Sequence, residues 1–349
     1  MISPMKKTET LFRRSDQEAL EAGRIISQAI QTEIRKVIRG SEHQHLIDVL
    51  IMALFADGHV LAEAPVGTAK TLTCSALARA IRCVFRKQQI RPDMLPSDLA
   101  GWMFYNQKTQ EFEVQHGPFH GANLVLIDEV NRGTPKTMAA LLEIMEERCV
   151  TIRGVTYPLE PLLMVLATQN PIEHEGTYDL PEAQLDRFLA RHTFHNLSRE
   201  TLIEILSDPD YHRSPGYLLQ RIQPVTTPDE IIAVREAILA NTYIEPRLIE
   251  YIAELCHATW EHNLVAYGVS PRGAKLLEKT AAIAAFMAGP RLTSDGTLGY
   301  YVTPEDVQEY AFDVLPHRIF MKPEARYDRD PMSPEDVVKK ILDVIKPPV

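Results

Sequence analysis

The chain has little that would suit it to a membrane, an oxidising compartment or a nucleic-acid lattice. Of 349 residues only four are cysteine, Cys74, Cys83, Cys149 and Cys256. No two form a CxxC pair, which excludes a zinc knuckle or a redox dithiol on spacing, and isolated thiols in a long chain fit a reducing compartment. No apolar run approaches the ~18 residues of a membrane span. The best, Val49 to Ala56, is closed by Asp48 and Asp57. The opening stretch, MISPMKKTETLFRRSD, lacks the apolar core of a secretion signal, so the expectation is a cytoplasmic protein. Positive charge is short as well. Lys and Arg number 37 against 47 Asp and Glu, a formal net charge of −10, which argues against a dedicated nucleic-acid coat.

What is present reads as an ordinary globular chain, 45% hydrophobic and 24% charged, with the length of about two domains. Residues 12–36 place Ala19, Ala22, Ile25, Ile26, Ala29, Ile30 and Ile34 at helical spacing, and a second helix is expected through Glu42–Phe55. Three short apolar runs follow, His59–Ala64, Asn123–Ile127 and Leu162–Thr168, separated by helical patterns. Strands alternating with helices imply a mostly parallel sheet sandwiched by helices. The second half differs. Thr227-Pro228-Asp229-Glu230, Thr303-Pro304-Glu305-Asp306 and Ser333-Pro334-Glu335-Asp336 each put a hydroxyl at the N-cap, proline at the first helical position and acids in the first turn. No strong strand run follows about residue 195. The expected layout is an N-terminal helix over 1–36, an α/β core over 37–222 and an all-helical lid over 223–349. Ser207–Pro215 is the best linker or insertion.

Chemistry concentrates where a strand meets a helix, in His59-Val-Leu-Ala-Glu-Ala-Pro-Val-Gly-Thr-Ala-Lys-Thr71. The strict GxxxxGK[ST] pattern fails, because Ala64 and Ala69 stand at both glycine positions and only Gly67 remains. Backbone N–H groups bind phosphate whether the residue is alanine or glycine, so the loop must avoid positive φ at 64 and 69. Lys70 would reach the β and γ phosphates and Thr71 a magnesium ion. The plain alternative is a strand–turn–helix ending in a solvated lysine. Asn123-Leu-Val-Leu-Ile-Asp128-Glu129 is an apolar strand ending in two acids, a costly arrangement unless used, and ligands of open α/β sheets sit at the carboxyl ends of strands. Asp128 would hold magnesium and Glu129 would polarise the attacking water. A third strand ends in Thr168-Gln169-Asn170-Pro171. An amide there could meet the γ-phosphate or the water, or simply build an Asn-Pro turn.

The runs DEVNRGTPKTMAALLEIMEERCVTIRGVTYPL, ATQNP and EGTYDLPEAQLDRF resemble the MoxR family of AAA+ ATPases, and the likeness extends from about Val37 to Ile319. It implies an ATP- and Mg2+-dependent P-loop ATPase core with a helical lid. It makes Val66, Gly67, Thr68, Ala69, Lys70, Thr71, Leu72 and Asp128 nucleotide-binding, with Thr71 and Asp128 on the metal. It places adenine at Val37, Ile38 and Gly40. Glu129 becomes the water-polarising residue and Asn170 the sensor beyond the strand. Arg187 becomes an arginine finger toward a neighbouring subunit, and Arg272 a second sensor on the lid. Proteins of this kind form hexameric rings and act as chaperone-like remodellers with von Willebrand A-domain partners. Both arginines also make chemical sense alone, since a finger arginine is worth ~10³–10⁵ in rate. Their plainer readings are a surface ion pair for Arg187 and a capped carbonyl for Arg272.

Two hairpins are expected at 102–114 and 150–157. Projected into a ring they could engage a substrate, although Trp102, Phe104 and Phe112 more simply fill a satellite core, at least two of the three. Lys108 facing Glu111 and Glu113, with Arg153 alone on the second hairpin, speaks against a nucleic-acid track. The pairs His43/His45 and His192/His195 have ligand-like spacing but no third ligand nearby, and read as ordinary histidines. Two rival functions remain: a nucleotide switch with negligible hydrolysis, and a nucleic-acid motor. The helix Pro334–Ile345 carries one apolar face, Val337, Val338, Ile341, Leu342 and Ile345, suited to packing on its own lid.

Overall fold

The three apolar runs become the inner strands of one parallel sheet. A computed structural model describes residues 14–63, 69–169, 178, 180–194, 197–292, 298–326 and 331–348. The chain divides into two compact units, residues 30–228 and residues 1–29 with 229–349. The long helix α1 (Arg14–Arg35) contributes to both.

In the first unit α2 (Gln44–Phe55), entered by a 3-10 turn at Ser41–His43, leads to β1 (Val60–Glu63), α3 (Lys70–Ala80), β2 (Phe85–Gln89) and α4 (Pro96–Ala100). The hairpin β3 (Gly101–Asn106) and β4 (Glu111–His116) follows, then β5 (Leu124–Asp128) and α5 (Pro135–Glu147). A second hairpin, β6 (Cys149–Ile152) and β7 (Val155–Pro158), precedes β8 (Met164–Gln169), α6 (Glu182–Leu185), β9 (Ala190–Thr193), α7 (Arg199–Ser207) and α8 (Pro215–Leu219). The sheet order is β2-β5-β8-β1-β9, all parallel. Its register sets Gln89 beside Asp128, Glu63 beside Gln169 and Glu63 beside Thr193. Val60–Ala62, Leu124–Ile127 and Met164–Ala167 are buried, which is why they read as unbroken apolar runs rather than alternating ones. Truncating one of the larger side chains to alanine is expected to cost ~2–5 kcal/mol. The apolar stretch Val49–Ala56 is also interior. Among the described residues no helix is long and apolar enough to cross a membrane.

Polar groups lock the layers. His59 is buried, with Nε2 3.2 Å from the Met145 carbonyl and Nδ1 accepting the Val165 N–H at 3.1 Å. The N–H therefore sits on Nε2, and one ring ties α5 to β8. The Glu42 carboxylate accepts from the Ser198 N–H (2.6 Å) and the Thr201 hydroxyl (2.8 Å). The Ser198 and Thr201 bonds pull its pKa down to about 2. Ser207–Pro215, expected as a linker or insertion, is folded into the unit and so is no free linker: Asp208 pairs with Arg39 and Arg221, and Asp210 with Arg221.

The second unit holds the start of α1 with α9 (Pro228–Asn241), β10 (Thr242–Tyr243), α10 (Pro246–Glu261), β11 (Val265–Tyr267), α11 (Pro271–Ala288), β12 (Arg291–Leu292), β13 (Leu298–Tyr301), α12 (Pro304–Glu309), α13 (Ala311–Val314), β14 (Phe320–Met321) and α14 (Pro334–Val344). The three proline-led starts all open helices, two with reciprocal capping boxes, Thr303/Asp306 and Ser333/Asp336. Gly23 lets α1 press on α9 and α11, since a Cβ there would lie 2.5 Å from Val234 and 3.1 Å from Phe286. The unit is helical with short ladders that the sequence did not announce, β10-β13-β12 and β11-β14. Pieces of two to four residues are too short to display a period-2 pattern. Val337, Val338 and Ile341 on α14 are buried within the unit.

Candidate active site

The carboxyl ends of β1, β5 and β8 meet the start of α3. Of the loop between β1 and α3, positions 64–68 lie outside the described residues, so Val66, Gly67 and Thr68 are not placed; nor is Asn170, beyond β8. Ala69 is placed, and it corrects the sequence expectation. Its φ is +54°, ψ +16°, the left-handed conformation that the loop was expected to avoid. The N-cap of α3 turns there, and a Cβ in that region costs ~1–2 kcal/mol. Lys70 and Thr71 occupy the first two helical positions and Leu72 the third, half-buried.

Asp128 is the hub. Its Oδ1 accepts the Thr168 hydroxyl at 2.6 Å and lies 4.0 Å from Lys70 Nζ. Its Oδ2 lies 3.1 Å from Lys87 Nζ, and that same ammonium donates to Thr71 Oγ1 at 3.2 Å. Burial pushes the Asp128 carboxyl up, but the Thr168 bond and the Lys87 and Lys70 charges outweigh it and hold it below the ordinary aspartate value. Thr71 and Asp128 thus already share a cation, and two hard oxygens so placed fit Mg2+. Glu129 follows at φ +56°. Its N–H donates to Thr168 Oγ1 (3.2 Å), while its carboxylate accepts from Gln89 (3.1 Å) and pairs with Arg132 (3.0 Å). On the other side of β8, Glu63 accepts from Gln169 (2.7 Å) and Thr193 (3.3 Å) and lies 3.7 Å from Arg191.

Arg187 sits after α6, fixed by buried Phe188 and by Leu185 on the core, with Nε 2.7 Å from Glu146. Val37 and Ile38 are buried, the Val37 carbonyl accepts from the Tyr211 hydroxyl, and Gly40 takes φ +90°, so this turn needs its glycine. Arg272 is exposed in the first turn of α11, after the Ser270 N-cap, in the helical unit. Sequence inspection missed Lys87, Gln89 and Thr168. The first two lie on an edge strand reading Phe-Arg-Lys-Gln-Gln, polar enough to pass for a loop. Thr168 shows only as a hydroxyl at the end of an apolar run.

The first hairpin departs from expectation. Trp102, Phe104 and Phe112 are 45%, 39% and 63% exposed, so they fill no satellite core. The hairpin pairs only with itself, and Tyr105 and Phe112 stack edge to face at 5.3 Å. Glu113 accepts from Asn106 and Thr109. His43 packs on Phe194 and His45 on His192, while His195 lies outside the described residues. All four cysteines are free thiols, and burial pushes those of Cys74, Cys83 and Cys256 up to about 12, which makes them inert.

Comparison with known proteins bears on the fold and the family. Residues 59–190 match the family described as "ATPase family associated with various cellular activities (AAA)", and residues 257–341 match the AAA lid domain. The chain is 35% identical to Chaperone MoxR1 of Mycobacterium tuberculosis over 325 residues, covering 90% of this chain and 81% of that protein. It is 40% identical to the uncharacterised protein YeaC of Bacillus subtilis over 299 residues, 86% of this chain and 88% of that one. A crystal structure described as a putative ATPase from Cytophaga hutchinsonii superposes with a TM-score of 0.83 at 35% identity, covering 96% of this chain and 99% of its own. Fold and relatives converge, and the chain belongs to the MoxR family of AAA+ ATPases.

Proposed function

We propose that the chain hydrolyses Mg2+·ATP and uses the turnover to remodel or activate a partner protein. The observation that carries this reading is the Asp128 carboxylate, held by Thr168, Lys70 and Lys87 at the carboxyl ends of parallel strands beside the N-terminus of α3. Backbone N–H groups at that terminus suit phosphate, and Val66, Gly67, Thr68 and Ala69 would lead the loop into it. Lys70 would bind the β and γ phosphates, with Leu72 behind it. Val37, Ile38 and Gly40 would receive the adenine. Thr71 and Asp128 would hold Mg2+, which would supply positive charge to offset the charge developing on the phosphate. Glu129 would orient the attacking water once it leaves Gln89 and Arg132, and Asn170 would contact the γ-phosphate or that water.

Arg187 would supply positive charge where a transferred phosphoryl group develops negative charge, and Arg272 of the helical unit would serve as a second sensor. We assign Arg187 to a neighbouring subunit's nucleotide, which implies a ring, hexameric as in the family the sequence resembles, with a von Willebrand A-domain protein as partner. The exposed Trp102, Phe104 and Phe112 support contact with a protein client, and the acidic residues beside them oppose a nucleic-acid track. Free thiols suit a cytoplasmic setting.

The tethering of Glu129 favours a second reading, a slow nucleotide switch. Steady-state turnover separates the two. Glu129→Gln should bind ATP and release no phosphate, and Lys70→Ala should lose binding. A wild-type rate no higher than that of Lys70→Ala would leave only the switch.

A further inference from the structure

Lys87 enters the reading above only as a contact of Asp128, with no task in turnover, yet its ammonium occupies the most telling position in the site. It stands 3.1 Å from Asp128 Oδ2 and 3.2 Å from Thr71 Oγ1, the two side chains assigned to the metal. We propose that Lys87 is a resident counter-cation of the metal position, which a divalent ion must displace, so that metal loading and the Lys87 contact exclude each other.

Strand register puts it there. β2 pairs with β5 so that Gln89 lies beside Asp128 and Lys87 beside Leu126. Positions two apart share a face, and the four-carbon stem of Lys87 covers the one repeat that separates it from Asp128. Lys70 approaches the opposite oxygen, Oδ1, at 4.0 Å, and its proposed task is the phosphates, so it does not compete for the same place. Lys87 is also built to leave. Its side chain is 39% exposed, against 15% for Lys70 and 17% for Asp128, so it can swing into water and recover full hydration. An ammonium and a metal cannot share one pair of oxygens, because both are compact cations that need the same lone pairs. In the bare chain the lysine keeps a half-buried carboxylate compensated.

This inference rests on the assignment of Thr71 and Asp128 to the metal, and the experiment separates the two. Mn2+ is titrated into the full chain holding ADP, and free Mn2+ is read by electron paramagnetic resonance, for wild type, Lys87→Met, Lys87→Arg and Asp128→Asn. Lys87→Met keeps the stem and loses the charge. It should bind Mn2+ more tightly by about tenfold, the equivalent of ~1.4 kcal/mol, and should melt earlier than wild type in EDTA. Lys87→Arg should stay close to wild type in both. Unchanged or weaker Mn2+ binding by Lys87→Met overturns the proposal, provided Asp128→Asn loses the metal. Weakened ADP binding by Lys87→Met in EDTA also overturns it, since Lys87 would then be a phosphate contact. If Asp128→Asn binds Mn2+ as wild type does, the metal assignment itself falls and the proposal with it.

Discussion

Thr168→Val isolates the support of the site hub without changing its shape. Thr168 is 1% exposed. Its hydroxyl donates to Asp128 at 2.6 Å and accepts the Glu129 N–H at 3.2 Å. A hydrogen bond to a charged group contributes ~1.5–3 kcal/mol, and a buried donor left without a partner costs ~1–3 kcal/mol. The Glu129 N–H is only partly buried, so the lower half of the second range applies, and the expected loss is ~2.5–5 kcal/mol at neutral pH. The Lys87 contact cannot compensate, because an ion pair to a side chain 39% exposed is worth under ~1 kcal/mol. The pH dependence carries the sharper test. In the wild type the Asp128 pKa is depressed in the fold, so its contribution is present above the ordinary aspartate value of 3.8 and is lost as pH falls through the lower folded value. In Thr168→Val the burial that raises the pKa loses its main opponent, so less stability depends on ionisation. The gap between the two proteins should therefore be widest at neutral pH and narrow in acid. Chemical denaturation at pH 7 and at successively lower pH measures it. A loss below ~0.5 kcal/mol, or one constant with pH, would refute the idea that Thr168 holds the Asp128 carboxylate.

Further outcomes follow from the same geometry. Ala69→Gly removes a Cβ from the left-handed region, a relief of ~1–2 kcal/mol set against the ~0.5–1 kcal/mol that glycine's freer unfolded chain costs. Its denaturation midpoint should rise modestly, and a fall would show that the turn is not strained. Glu146→Gln releases Arg187 from its 2.7 Å partner; an exposed pair of this kind is worth ~0–1 kcal/mol. The lone chain's melting should barely move, whereas concentration-dependent ATP turnover should rise, and Arg187→Ala should abolish that turnover unless wild-type subunits are mixed in. Glu42→Gln removes a carboxylate whose pKa drops to about 2 in the fold from 4.5. Wild type should lose stability relative to this variant as pH falls from 4.5 toward 2, and parallel acid-unfolding curves would discard the clamp.

The sequence showed the interior more readily than the rim. β1, β5 and β8 are buried on both faces, and two-sided burial leaves a continuous apolar run that no surface constraint interrupts. β2 is an edge strand and β9 a four-residue one, so both carry polar residues and neither announces itself. The order of Lys70, Asp128 and Glu129 was readable because strand ends place acids and phosphate loops at fixed points along the chain. Lys87, Gln89 and Thr168 were not, since each acts through register with another strand, a relation with no local signature. Burial of at least two of Trp102, Phe104 and Phe112 was expected from residue type alone. The hairpin instead leaves all three side chains facing solvent.

The bare site is self-compensated. Asp128 leans on Lys87, Glu129 on Arg132 and Gln89, and Arg187 on Glu146, so these three groups already have partners from their own chain. These partners are partly exposed, with side chains 34–39% accessible for Lys87, Arg132 and Glu146, so each contact is worth only ~0–1 kcal/mol. Micromolar affinity corresponds to about 8 kcal/mol, well above what any of these contacts is worth. Under the proposed function, then, the resting chain is stable without being locked. Nucleotide would exchange the partners of Asp128 and Glu129 on its own chain and that of Arg187 on the neighbouring subunit, and the change at Glu129 and Arg187 is what a neighbouring subunit or a client could sense.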